Sequence, residues 1–442
     1  MNAREVALKI LNAVYIEEAY ANVALAKAFR RADLSEQDRR FVTEMVYGAV
    51  KAGATLDWML RQYVNRPLAK IPPVICNILR LGLYQIFFMD KVPASAACNQ
   101  AVELAKTYGH PGTVKFVNAV LRSAVREPAK AAFPEGKGNA TKNLALVCQH
   151  PEWLVKRWIK EFGYDAAVAL CEFDNTNATL SLRTNTLKTD RPALLQRLAA
   201  EGAVAEPSAW TPEGIVCTDH PALDHMESLQ EGLFQIQDES SMLVAHVLDP
   251  QPGEFIIDAC SAPGGKTTHM AALMKNQGRI LAGDIYEHKL QRIEENAARL
   301  GIDIIEARLL DATTIGELYP KQADRVLVDA PCSGLGVLRR KPDARWKNKA
   351  ELLETLPPLQ SAILASAAKA VKPGGVLVYS TCTIAREENE AVVEAFLQAH
   401  AEFELENTGG YLPLHKREAA MLQLLPQNDG TDGFFIVRMK RK

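Results

Sequence analysis

After Gln237 the chain alternates short apolar runs with helical segments, and that alternation narrows its possible folds more than any other feature. The runs lie in EFIIDA, RILAGD, IEARLLDA, RVLVDA and GGVLVYS, each bounded by turn residues. Helical patterns precede, separate and follow them, at SSMLVAHVL before EFIIDA, from about Leu359 to Val371 and from Glu387 to Leu397. A strand that reads as one unbroken apolar run is buried on both faces, which is the condition of a parallel sheet with helices above and below. The pattern predicts a doubly wound, Rossmann-like α/β domain over residues 237–442, with FFIVRM as a last strand.

Two other regimes precede it. Residues 1–130 carry only helical periodicity. Val6, Ile10, Leu11 and Val14 recur at helical spacing, and Ser35 with Asp38 forms a capping box. Pro72 and Pro73 open a helix whose apolar face holds Ile75, Ile78, Leu79, Leu83 and Ile86. Residues 131–143, rich in Gly, Pro, Asn and Lys without a period, read as a linker. Residues 144–236 give an amphipathic helix around Trp153 to Phe162, the strand-like ATLSLRTN, a helix at RPALLQRLAAEG and further strand-like pieces at GIVCT and LFQIQ. That is the content of a small α+β subdomain. The chain is thus multidomain, which suits 442 residues at roughly 150 per domain.

Net charge is only −2, but residues 1–130 hold 18 Lys and Arg against 11 Asp and Glu, a net of +7 that leaves −9 for the rest. A basic helical part joined to an acidic one fits a polyanion-binding arm as well as it fits a solvated helical face. No segment approaches the ~18 uncharged apolar residues of a spanning helix. Glu5, Glu17 and Glu18 come too early for a signal peptide. Eight widely spaced cysteines without a C-x-x-C speak against a zinc ribbon and against a disulfide framework. These features predict a cytoplasmic protein with no membrane association and no metal.

The turn DACSAPGGKTTHM follows the first strand of the predicted sheet, where backbone amides and a helix N-terminus receive a polar or anionic ligand. Cys260, Ser261, Ala262, Pro263, Gly264, Gly265 and Lys266 are the candidate contacts. A phosphate loop needs G-x-x-x-x-G-K-[ST], and Cys260 stands where its first glycine belongs; the G-x-G-x-x-G of dinucleotide enzymes is absent. Asp284 closes the second strand roughly 20 residues further on, where a carboxylate accepts ribose hydroxyls. Asp311 closes the third, placed for an adenine amino group. With Asp258 they put three carboxylates at successive strand ends, which repel a triphosphate and suit a ligand cationic at sulfur, such as S-adenosylmethionine. Each aspartate equally suits the cap of a following helix. The rival reading is an RNA-coupled P-loop nucleotidase with Asp329 as its magnesium carboxylate.

Asp329, Pro331 and Cys332 follow the fourth strand in DAPCSG, and Cys382 follows the fifth in STCTIAREENE, so both thiols fall on the carboxyl edge of the sheet. A lone cysteine is usually a small core hydrophobe; two on the edge that carries the nucleoside turn point to chemistry. Methylation at cytosine C5 needs them, because C5 becomes nucleophilic only after a thiolate adds to C6. An acid near cytosine N3 disperses the charge that develops, and Asp329 is the nearest candidate. A second thiol assists the elimination that ends the reaction.

DACSAPGGKT, DAPCSG and STCT, in this order with the acids between them, resemble the RNA cytosine-5 methyltransferase family of the Fmu/Sun type. The resemblance implies that Cys382 attacks and that Cys332 assists product release. The chemistry alone leaves those roles open, since the cysteine of the P-C motif attacks in the DNA enzymes. It also implies cofactor contacts from Cys260 to Lys266 and at Asp284, Asp311 and Asp329, with S-adenosyl-L-methionine as methyl donor. Upstream, QDRRFVTEMVYGAVK, LRLGLYQIFF and KFVNAVLR are similar to a NusB-type RNA-binding domain, and HPEWLVKRW and LSLRTN to the RRM-like segment that follows it. DGTDGFFIVRM resembles the family's C-terminal strand region. The implied substrate is small-subunit (16S) ribosomal RNA, at the hairpin cytosine that the family's bacterial member modifies, with transfer RNA or another ribosomal site as the alternative. A non-enzymatic RNA-binding factor of the antitermination type is a third reading, which the intact acids and both thiols disfavour.

A cytosine inside a duplex cannot present C6 to a thiolate, so the target lies in a loop or is flipped out. Arg30, Arg31, Arg39 and Arg40 in the helical part, and Arg339, Arg340, Lys341 and Arg345 after the Cys332 loop, are the candidates to hold the RNA backbone. The second group is favoured because it runs on from that loop. The protein is expected to act as a monomer.

Overall fold

The computed structural model describes residues 2–134 and 140–442. It divides into two compact units, Met1–Thr176 with Leu338–Lys349, and Asn177–Val337 with Ala350–Lys442. The first unit is built from helices. Ala3–Tyr15, Ala21–Phe29, Glu36–Lys51, Gly53–Arg61, Pro73–Phe88, Ala94–Tyr108 and Pro111–Arg126 are followed by Ala140–Val147, Glu152–Phe162 and Tyr164–Asn175. The capping box forms as the sequence predicts: Ser35 Oγ accepts the Asp38 N–H at 3.1 Å and donates to the Asp38 carboxylate at 2.9 Å. Pro73 occupies the first helical turn, where its missing N–H costs nothing, and Ile75, Ile78, Leu79 and Leu83 are buried along one face. They join Leu8, Leu11, Met45 and Leu121 in one core.

Two expectations meet a different arrangement. Residues 135–139 of the expected linker lie outside the described residues, and the helix Ala140–Val147 begins before the linker's expected end. The helices over 140–175 belong to the first unit, whereas the sequence pattern groups 144–236 together. Periodicity marks a helix but not the partner that takes its apolar face.

The second unit holds two sheets. The strands β1 (Leu180–Thr184), β2 (Val204–Pro207), β3 (Gly214–Asp219) and β4 (Phe234–Ile236) form a small antiparallel sheet in the order β2-β3-β1-β4. The helix Arg191–Ala200 closes it over Leu182, Leu194, Leu198, Ile215 and Phe234. The large sheet is built from β5 (Phe255–Asp258), β6 (Arg279–Asp284), β7 (Ile305–Leu309), β8 (Ala323–Asp329), β9 (Val371–Thr381), β10 (Phe403–Leu405), β11 (Met421–Leu424) and β12 (Phe434–Arg441). Its order is β10-β12-β9-β8-β5-β6-β7, with β11 paired to β12. Strands β5 to β9 are parallel, as their apolar runs predict; β10, β11 and β12 are antiparallel, which makes the sheet mixed.

Both faces are covered. Glu239–Leu248 contributes Leu243 and Val247 to one core, and Leu352–Ala370 and Glu390–Ala399 contribute Ile363, Leu364, Ala367 and Phe396 to the other. Burying such aliphatic side chains contributes about 1.5–3 kcal/mol apiece, which explains why the apolar runs are read so directly as strands. The strand order reverses between β5 and β8, so the crevice at their carboxyl ends is the topological switch point. Among the described residues no helix is long and apolar enough to cross a membrane.

Candidate active site

Cys332 and Cys382 are 50 residues apart and converge because their strands are neighbours. In the parallel pairing of β8 and β9, Asp329 lies opposite Ser380. Three residues beyond the one and two beyond the other, the chain leaves the sheet at the same edge, and the sulfurs approach to 3.4 Å. Both thiols are half-buried. Contact with Cys382 and then burial hold the Cys332 thiol well above the usual range. Either sulfur can donate in this contact, and the upward shift favours the protonated form of Cys332.

Asp329 is engaged through both oxygens. Lys266 Nζ donates to Oδ2 at 2.8 Å, and Ser380 Oγ donates to Oδ1 at 2.9 Å. Burial depresses the Lys266 ammonium, but the Asp329 carboxylate outweighs it, helped by the Cys382 sulfur, and the net shift is upward. Lys266 therefore presents a held positive charge beside the two thiols. The sequence places it among the turn residues that contact a cofactor; its Nζ lies on Asp329.

The turn itself is tightly made. Ser261 donates twice to Gly283 O, through its N–H and its Oγ, both at 2.9 Å, and Gly264 N–H closes on Ser261 O at 2.7 Å. Gly264 begins the helix Gly265–Leu273 at φ +96°, where a Cβ would also stand 3.3 Å from the Ile293 backbone, so only glycine serves. Pro263 O accepts from Asn296 Nδ2 at 3.0 Å. Cys260 is half-buried, and its thiol is pushed up by burial and by the carboxylates of Asp258, Asp329 and Asp284, which makes it a poor nucleophile.

Asp258 is buried at the end of β5, accepts from Thr267 Oγ1 at 2.7 Å and leaves Oδ1 without a partner. Burial pushes its carboxyl up to about 7. Asp284 accepts from the Tyr286 N–H at 3.0 Å at the end of β6. Asp311, exposed beyond β7, caps the following turn through the Thr313 N–H and hydroxyl, which hold its carboxyl below the usual range. These acids stand at successive strand ends, and an orphaned buried oxygen, two further carboxylates and a glycine-lined turn suit a cationic nucleoside.

The basic residues divide. Lys341 and Arg40 are exposed, with Arg40 paired to Glu36 at 2.8 Å; Arg39 is half-buried with its guanidinium over Phe29. Arg339 and Arg340 are half-buried, and the Arg339 guanidinium lies 4.5 Å from the Phe173 ring centroid. Arg345 requires a correction. It is fully buried in the first unit and donates to Gln149 O at 2.9 Å, Asn175 Oδ1 at 3.0 Å and Asp174 O at 3.1 Å, so its guanidinium is out of reach of a phosphate at the surface. A charge run read from sequence does not show that its last arginine turns inward to cap carbonyls.

Sequence reading also missed the support of the turn. Arg183, buried on β1, donates to Gln237 Oε1, to Gly265 O at 2.6 Å and to Thr268 Oγ1 at 3.0 Å, which fastens the small sheet to the start of the helix. The only signal was an arginine in an otherwise inward-facing strand segment. Beside it, Glu213 Oε1 lies 2.9 Å from His246 Nε2 and 3.0 Å from His269 Nε2, a group whose donor atoms all fall within 4.8 Å. Burial alone would raise the Glu213 carboxyl, but the two imidazoles hold it well below the usual range. Three residues this far apart in sequence carry no spacing that marks them.

A doubly wound sheet with a nucleoside-type turn at its switch point and two facing thiols on adjacent strand ends defines a Rossmann-type group-transfer enzyme. Family models place it further: residues 245–440 match the 16S rRNA methyltransferase RsmB/F model, residues 1–126 the NusB family and residues 150–223 the RsmF/B-like ferredoxin-like domain. The chain is 42% identical to the probable ribosomal RNA small subunit methyltransferase B of Bacillus subtilis, over 100% of this chain and 99% of the relative. It is 40% identical to the protein of the same description from Synechocystis, over 100% of both. Among solved structures it is similar to PH0851, with a TM-score of 0.85 and 28% identity over 100% of this chain and 99% of that one. The chain belongs to the RsmB/F family of small-subunit ribosomal RNA methyltransferases.

Proposed function

We propose that the protein methylates C5 of a cytosine in 16S ribosomal RNA through a covalent bond between Cys382 and C6 of the base. The observation that carries this reading is the 3.4 Å approach of the two sulfurs at the sheet's carboxyl edge. Cys382 adds to C6, the electron pair moves to C5, and Asp329 with its Lys266 partner faces N3 as charge develops there. S-adenosyl-L-methionine, when bound by the Cys260–Lys266 turn, Asp284, Asp311 and Asp329, supplies an electrophilic methyl group. Water then takes the C5 proton, the C–H electron pair re-forms the C5–C6 double bond and the C6–S pair returns to the Cys382 sulfur, whose release Cys332 assists by donating its S–H. The target is the hairpin cytosine implied by the family resemblance, flipped out or unpaired. Lys341, Arg339, Arg340, Arg39 and Arg40 hold the RNA backbone, and the protein works as a cytoplasmic monomer without a metal.

A denaturing gel with 16S rRNA and labelled methyl donor tests the roles. Cys382→Ala is expected to lose both turnover and adduct, and Cys332→Ala to accumulate a covalent protein–RNA band. A shifted band from Cys382→Ala and none from Cys332→Ala would reverse the assignment. Mapping the modified base then distinguishes C5 of the hairpin cytosine from any other position.

A further inference from the structure

The motif that carries Cys382 continues as STCTIAREENE, and its last residues have no part in the chemistry above. Glu388 and Asn389 are adjacent in the chain, are both fully buried, and are each bound to the residues that flank one of the two cysteines. Glu388 serves the Cys332 loop. Its Oε1 accepts from the Ser333 N–H at 2.8 Å and from Gln360 Nε2 at 3.0 Å, and its Oε2 accepts from the Ser333 hydroxyl. Gln360 Nε2 also donates to Pro331 O at 2.9 Å, so the residues before and after Cys332 are both tied to one carboxylate group.

Asn389 serves the Cys382 turn in the same manner. Its Oδ1 accepts from Thr381 Oγ1 at 2.5 Å, and its Nδ2 donates to Thr383 O at 3.0 Å and to Gln423 Oε1 at 2.8 Å. The residues before and after Cys382 are thereby tied to one carboxamide. The two clamps are joined: Ser333 Oγ and Thr383 Oγ1 lie 2.9 Å apart, and Tyr379, on the strand that delivers Cys382, donates from its hydroxyl to Glu388 O at 2.6 Å. Two short loops that leave different strands would otherwise adjust independently, whereas a buried network that ties both to adjacent residues holds them to one arrangement, although Gln360 Oε1 within it has no partner.

We infer that Glu388 and Asn389 are positioning residues that together set the spacing of Cys332 and Cys382. Neither touches a reacting atom; each holds its loop, and the Glu388 carboxylate also pushes the Cys332 thiol up through its charge. The inference rests on the two-thiol reading for its bearing on catalysis, and on geometry alone for the spacing itself.

Two readouts keep those apart. The first is the rate at which the azo oxidant diamide, which takes two electrons and two protons from a pair of thiols, joins Cys332 to Cys382, read by peptide mass spectrometry on the full chain. Glu388→Gln keeps the volume but replaces one acceptor oxygen with a donor that faces Ser333 or Gln360. Asn389→Asp keeps the acceptor for Thr381 and loses the donor to Thr383 and Gln423. Each is expected to slow the joining by about tenfold or more, while thermal melting shows an intact fold. Glu388→Ala, which removes every acceptor, is expected to be slower still if it folds, and Glu388→Gln carries the test if it does not. Joining at the parental rate in both conservative variants overturns the inference.

The second readout is the covalent RNA band. Glu388→Gln, by loosening the Cys332 loop, is expected to accumulate adduct as Cys332→Ala does, and Asn389→Asp to form less; a purely structural defect would lower adduct and turnover in proportion in both, and overturns the catalytic side of the inference. If Cys332→Ala itself traps nothing while the variants still slow the diamide reaction, the two-thiol chemistry fails and the spacing role stands.

Discussion

Among the described residues two pairs of cysteines neighbour one another, one pair in each unit, and they differ in what surrounds them. Cys332 and Cys382 are half-buried on the carboxyl edge of a parallel sheet, 3.4 Å apart, with Lys266 and Asp329 beside them. Cys148 and Cys171 are neighbours among helices, at 7% and 0% exposure, with buried His150, Asp174 and Arg345 around them. In both pairs one thiol is pushed up by its partner and by burial: Cys332 in the open pair, Cys171 in the packed one. Contact between sulfurs therefore does not mark an active site. What separates the pairs is a strand-end position that a base can reach, and a carboxylate and ammonium placed to meet it.

The sharpest way to break this contrast is to remove one sulfur from the open pair. Cys382→Ala is expected to lower the rate of methyl transfer to 16S rRNA by on the order of 10⁴-fold, as loss of an attacking nucleophile does, with little change in melting temperature because the side chain is half-buried. A melting temperature that falls with the activity would make Cys382 a packing residue like Cys171.

The neighbour that most distinguishes the packed pair is Arg345. Arg345→Met would leave Gln149 O, Asp174 O and Asn175 Oδ1 without their donor and remove the buried positive charge that opposes Asp174. The expected cost is about 3–5 kcal/mol in urea unfolding. The salt dependence of RNA binding should stay as it was, because a guanidinium spent on carbonyls neutralises no phosphate. A loss of about one unit of salt slope with unchanged stability would return Arg345 to the RNA-contacting group.

Each pair also stands near a buried aspartate, and pH sharpens the comparison there. Burial pushes Asp258, beneath the open site, and Asp174, beside the packed pair, each up to about 7 from 3.8. A carboxyl that keeps its proton to about pH 7 when folded, but gives it up near pH 4 when unfolded, favours the folded state fully below pH 4. That contribution is lost as pH rises through 7, with an upper figure of about 4 kcal/mol per group. His150, 3.5 Å from the Asp174 carboxylate, is held neutral by burial and does not offset the cost. Asp258→Asn and Asp174→Asn should thus melt higher than the parent at pH 8 and not at pH 4. Asn at 258 can still accept from Thr267. An equal difference at both pH values would show that neither carboxyl is perturbed by burial.

How much of this was legible from sequence depends on the distance over which each signal acts. The strands β5, β6, β8 and β9 are visible because burial on both faces leaves apolar runs, the edge strand β7 being only partly buried, and the turn and both cysteines follow because strand ends in a doubly wound sheet share an edge. The antiparallel strands β10 and β11 are short and carry no such run, and β12 appeared only as FFIVRM. Arg345 was misread because its partners, Gln149, Asp174 and Asn175, are some 170 to 196 residues away along the chain. The clamp of Glu388 on Ser333, and the cluster of Glu213 with His246 and His269, have the same character: polar contacts closed by tertiary packing, with no period or spacing to announce them.

The smallest expected effect completes the contrast from the other side. Cys171 is fully buried in the helix Tyr164–Asn175, and Cys171→Ala deletes one sulfur from a packed core while leaving Cys148 without its thiol partner. The residual cavity is small, so the cost is about 1–2 kcal/mol in urea unfolding. Methyl transfer measured well below the melting temperature should stay within about twofold of the parent, since a loss of that size leaves the folded fraction near one. The two variants, Cys171→Ala and Cys382→Ala, then move opposite observables: one the stability, the other the rate. If Cys171→Ala instead abolishes methyl transfer at unchanged stability, the chemistry does not belong to the open pair alone, and the distinction between a packed and a reactive thiol contact fails for this protein.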